Sequence, residues 1–139
     1  MLSAAILGLC LQWLATPEQA PVRLPGASFI LAWQHSIEKV RWEENYSVLA
    51  PAGAPAVLQV GRARIKGSAA GMEPPADARL EKGWYVYQPA DKVLSQLVLT
   101  RSGFTPDYEL CIDDQPCQSM DAYLPSDGGQ TRLWACAQD

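Results

Sequence analysis

From Ser28 onward the chain breaks into short runs in which apolar and polar residues alternate, each run closed by a turn former. A two-residue period marks a strand with one buried face, because successive side chains point to opposite sides of a sheet. The run from Ser28 to Ser36 sets Phe29, Leu31 and Trp33 on one face, and His35 continues it. The run from Val40 to Leu49 sets Trp42, Glu44, Tyr46 and Val48 against Glu43, Asn45 and Ser47. Further strands are predicted over 57–66, 84–88, 94–101, 108–113, 118–124 and 131–137. Ser102-Gly103, Asp113-Asp114 and Asp127-Gly128-Gly129 supply turns between them. Only Ala76 to Lys82 reads as a helical turn or more. About eight short strands at this spacing predict an all-β fold, either an antiparallel sandwich or a small barrel.

The 139 residues fit one domain. A net charge of −4 with scattered Lys and Arg argues against a nucleic-acid surface, which needs clustered cations. Met1 to Leu14 carries no charged side chain. That run is shorter than the roughly 20 residues of a spanning helix, and it matches the apolar region of a signal peptide. Residues 1–20 therefore read as a signal peptide, or as an N-terminal anchor if uncleaved, and 21–139 as a single β-rich domain. A cut after Ala20 would leave Glu18 where a small residue is preferred. The chain is expected to be periplasmic or otherwise exported, touching a membrane only through its first segment.

An exported chain can keep disulfides. Cys111, Cys117 and Cys136 remain once residues 1–20 are removed. A bridge from Cys111 to Cys117 would close a hairpin; Cys117–Cys136 and Cys111–Cys136 are the alternatives. Loop-closure entropy gives about 2.4 kcal/mol for the short loop and about 3.3 to 3.5 for the longer ones, too small a gap to choose. The remaining thiol is free, or pairs with Cys10 if the N-terminal segment is retained. Three Cys and one His without two close pairs do not make a structural zinc site, so neither metal nor cofactor is expected.

His35 is the sole histidine. As an inward-reading strand residue it serves either as a structural hydrogen-bonding group or as a group titrating near neutrality that meets an anion. Ser36 and Glu38 complete the residue types of a hydrolase triad, but neighbouring strand residues diverge to opposite faces, and no nucleophile elbow is present. Glu44, on the apolar face of its strand, needs a partner if buried; His35, Arg62, Arg64 and Lys66 are the candidates. Arg62, Arg64 and Lys66 alternate onto one face, which can hold an anion or simply meet solvent. Gly67 to Pro75 combines small residues with a double proline. It lacks the ending of a phosphate loop, but its small residues allow close approach of backbone to a ligand, a partner or the adjacent sheet.

His35-Ser36-Ile37-Glu38 behind an aromatic strand, the later Glu44, and the basic strand running into Gly67 to Met72 together resemble domain-of-unknown-function family 1850. The cysteines at 111, 117 and 136 are similar to the family's C-terminal end, so the likeness spans about Phe29 to Cys136. Ile37 stands where Val is usual, and Ala69 where Gly is common. The resemblance implies a small exported protein encoded beside TRAP transporters whose solute receptor is of the TAXI type; it brings no established activity. The expected function is therefore an exported accessory or binding module of a TRAP-type uptake system, meeting transporter subunits or a small anionic solute without catalysis. Its site would comprise His35, Ser36, Glu38, Glu44, Arg64, Gly67, Gly71 and Met72. The alternatives are a small hydrolase or isomerase with His35 as base and Glu44 orienting it, and a structural envelope protein.

Overall fold

The computed structural model describes residues 6–34, 39–67 and 76–138. They form β1 (Leu7–Trp13), β2 (Val22–Pro25), β3 (Ser28–Gln34), β4 (Arg41–Leu49), β5 (Val57–Lys66), β6 (Arg79–Glu81), β7 (Trp84–Tyr87), β8 (Val93–Leu94), β9 (Leu97–Thr100), β10 (Glu109–Ile112), β11 (Gln118–Ser119) and β12 (Gln130–Ala137). Among the described residues, one 3₁₀ turn, over Met120–Ala122, interrupts the strands. Every strand pairing is antiparallel. The small sheet runs β2-β1-β12-β9; the large sheet runs β11-β10-β3-β4-β5-β7-β6, with β8 also on β5. β12 packs over β5 and β1 over β4, making the predicted all-β sandwich.

Alternation places the core as the pattern predicts. Phe29 and Leu31 of β3, Tyr46 of β4, and Leu110 and Ile112 of β10 point inward from the large sheet, meeting Leu9, Leu11, Leu99 and Leu133 of the small one. The rings of Phe29 and Tyr46, directly opposite across β3 and β4, stack with centroids 5.1 Å apart. Such cross-strand aromatic pairs are the unit of sheet stabilisation.

Three secondary-structure expectations are corrected, and the N-terminal run takes a place in the fold. The uncharged run read as a leader contains β1, paired along its length with β12 on one side and β2 on the other; Leu9, Cys10 and Leu11 are buried. The expected boundary at residue 20 thus falls inside the small sheet. A short uncharged apolar run suits a strand buried on both faces as well as a signal segment. Ala76–Lys82 is not helical: Arg79–Glu81 is edge strand β6. The strand expected over 118–124 stops after Ser119, whose hydroxyl accepts from the Asp121 amide and starts the 3₁₀ turn. The strand expected over 94–101 is divided into β8 and β9.

β5 carries one extra residue opposite β4: Glu44 pairs Ala63 while Tyr46 pairs Val60. This bulge keeps the core face apolar, with Leu58 and Val60 inward before it and Ala63 and Ile65 after it. Gly61 lies at the bulge, where a Cβ would come within 3.1 Å of the Asn45 carbonyl oxygen, a tight contact. All four cysteines are bridged, Cys10 to Cys136 and Cys111 to Cys117. The first joins the opening and closing strands of the small sheet; the second closes the turn between β10 and β11. Such bonds persist in an oxidising, exported environment.

Candidate functional site

The outward face of the large sheet is not a plain solvated surface. Register sets Glu109, Ala32, Glu43, Arg64, Val86 and Arg79 side by side across β10, β3, β4, β5, β7 and β6. Arg41, two residues before Glu43, lies on the same face. Its Nε donates to Glu43 Oε2 at 2.6 Å and its Nη1 to Glu109 Oε2 at 3.0 Å. Arg64 Nε donates to the other Glu43 oxygen at 2.7 Å. One carboxylate, its side chain only 8 % exposed, therefore anchors two guanidinium groups. Burial alone would raise the Glu43 carboxyl, but hydrogen bonds and charge from Arg41 and Arg64 outweigh it and hold the group below the ordinary carboxylate value. Burial likewise works against charge on Arg41, and its two carboxylate partners raise it in spite of that.

Beyond Arg64 the face becomes aromatic and cationic. The guanidinium carbon of Arg64 lies 3.8 Å from the Trp84 ring centre, and Lys66 Nζ lies 4.9 Å from the same ring. Contacts of this kind orient a cation over the negative face of the ring. Arg64, Arg62, Val86, Asn45, Ile30 and Glu43 line a cleft of about 340 Å³, with Glu81 at its side. Two adjoining hollows share Glu81 and Val86 with it, one lined also by Arg64, Lys82 and Trp84 and the other by Arg62, Arg79 and Asp77.

The expected site residues divide. Arg64 is at the centre of this face, and Gly67 ends β5 three residues later at φ +81°, a backbone conformation suited to glycine, its amide bonded to the Gly83 carbonyl at 2.8 Å. Glu44 points the opposite way, into the sandwich, where Tyr46 Oη donates to it at 2.6 Å. None of its expected partners Arg62, Arg64 or Lys66 meets it, because odd and even positions of β4 face opposite sides. The carboxylate that holds Arg64 is Glu43, the neighbour. Burial and the Glu44 contact push the Tyr46 hydroxyl well above its ordinary range. His35, Ser36, Glu38, Gly71 and Met72 lie outside the described residues. The residues flanking the first group are drawn together by a bond from Gln34 Nε2 to the Lys39 carbonyl at 3.2 Å. Sequence reasoning missed Glu43 and Trp84; the two-residue step from Glu43 to Arg41 was the available signal.

Arg101, just after β9, is a second residue that the pattern did not single out. Its side chain is wholly buried, bonded through Nε and Nη2 to the two oxygens of Asp107 at 3.0 and 2.7 Å, to Thr131 Oγ1 at 3.1 Å and to the Leu124 carbonyl at 2.7 Å. Among the described residues no group of three or more His, Cys, Asp or Glu is placed to hold a metal ion. No helix of the described residues is long and apolar enough to cross a membrane.

Fold and face together define a disulfide-bridged β-sandwich that presents a built arginine–tryptophan cleft on its larger sheet. The chain belongs to the DUF1850 family, a domain of unknown function, whose family model matches residues 29–118, from β3 to the start of β11. No curated protein and no solved structure matches it.

Proposed function

We propose that this chain is a non-catalytic binding module that works in the periplasm or a similar exported space as an accessory of a TRAP-type solute uptake system. Its working surface is the outward face of the large sheet around Arg64. The observation that supports this reading is the double anchoring of Arg64. Glu43 and Trp84 fix its guanidinium in place while its side chain remains 41 % exposed, an arrangement suited to receiving something from outside. Family membership and the two disulfides supply the setting. A small anionic solute and an acidic surface of a transporter subunit both match the chemistry of this face.

The test is affinity capture with the tagged full chain from native membrane extract, comparing the wild type with Arg64→Glu. Transporter subunits recovered by the wild type and lost with the folded variant support the accessory role. Equal recovery by both proteins removes the Arg64 face as the working surface, and recovery by neither removes the accessory role.

A further inference from the structure

We infer that the Arg64 cleft is a receptor for a small organic monocarboxylate with a flat apolar body, a ligand class that follows from the reading of this face as the binding surface. The guanidinium has five N–H donors in a planar fork. Glu43 takes the Nε edge of Arg64 at 2.7 Å. None of the described residues accepts from the Nη1–Nη2 edge, and the side chain as a whole is 41 % exposed. That edge matches the two oxygens of a carboxylate, accepting two parallel hydrogen bonds. The Trp84 contact at 3.8 Å fixes the plane of the fork, so little side-chain freedom is lost when a ligand arrives.

The surroundings narrow the ligand further. Trp84 and Val86 form an apolar wall next to the fork, and Ile30 adds to it on the other side. A ligand that is only charge would leave this wall uncovered. Arg62 and Lys66 add positive potential, whereas Glu81 lines the same hollow and Glu43 is already shared between two cations. Phosphate has no apolar surface to set against Trp84, Val86 and Ile30, which favours a carboxylate carrying an apolar body. The volume of about 340 Å³ is at the small end for ligand sites.

The experiment is an NMR titration of the full chain with benzoate, benzamide and inorganic phosphate at physiological ionic strength, repeated on Arg64→Lys. Benzoate should shift the Trp84 indole N–H and the Arg64 Nε–H saturably. Benzamide, its neutral counterpart, and phosphate should each bind at least tenfold more weakly. Arg64→Lys keeps the charge but loses the fork, and should weaken benzoate tenfold or more. Equal binding of benzamide, tighter binding of phosphate, or unchanged affinity in the variant overturns the assignment. If the variant does not fold, the wild-type shifts decide, and benzoate shifts located away from Trp84 and Arg64 overturn it. Transporter capture without benzoate binding defeats this inference alone; benzoate binding without capture defeats only the accessory role.

Discussion

Arg101 and Arg64 are both held by a carboxylate, and they are built to opposite ends. Arg101 is enclosed, with Asp107, Thr131 and the Leu124 carbonyl absorbing its donors. It ties the loop after β9 to β12 and to the segment behind the 3₁₀ turn. Arg64 is fixed from one side and open on the other, anchored by Glu43 and Trp84. A buried guanidinium must satisfy its donors within the fold, because an uncompensated charge there costs several kcal/mol. A guanidinium whose orientation is set by the protein but whose fork remains open is instead prepared for an external acceptor.

That contrast breaks most visibly on replacing Arg101. Arg101→Met leaves Asp107 without its bidentate partner and should cost about 3–5 kcal/mol, the range for breaking a buried pair. Urea denaturation followed by near-ultraviolet circular dichroism measures it; a loss under about 1 kcal/mol would place Arg101 with ordinary surface pairs. Leu11→Ala comes next, testing whether β1 belongs to the same cooperative body. A fully buried leucine truncated to alanine should cost about 2–5 kcal/mol, and a neutral result would mean that β1 contributes nothing to the core.

Glu43→Gln sharpens the other side. It removes the charge that orients Arg41 and Arg64, and because both arginines are partly exposed the cost should be only about 1–2 kcal/mol after allowance for solvent screening. The pH dependence is more diagnostic. The Glu43 carboxyl lies below its ordinary value of 4.5 in the folded chain, so its stabilisation is complete above that value and is lost as pH falls through the depressed one. Acid titration of stability should therefore be shallower in Glu43→Gln than in the wild type; identical acid slopes would show that the carboxylate is not held as described. The smallest effect belongs to Arg64→Ala, at most about 1 kcal/mol, as expected for a half-exposed ion pair. If its cost matched that of Arg101→Met, the division between an enclosed and an open arginine would fail.

Much of the sandwich is legible in the sequence. The alternation of Phe29, Leu31 and Trp33 fixed which side of β3 is inward, and the parity of Arg62, Arg64 and Lys66 placed three cations on one face. The candidate site was legible only in part. Parity separates Glu43 from Glu44 but does not say which of them meets Arg64; that depends on the register of β4 against β5, displaced by the bulge at Gly61. Trp84 reads as one more strand aromatic until β7 pairs with β5 and sets it beneath the Arg64 guanidinium.

By itself, then, the sequence determined the all-β class, the inward faces and most of the turns, because these follow from local periodicity and from backbone preferences within a few residues. Tertiary structure alone decided that residues 7–13 form a core strand, that Cys10 bonds Cys136 across 126 positions, and that Glu43 holds two arginines contributed by two strands. Those outcomes depend on which distant segments lie side by side, and a one-residue change of register would replace every partner.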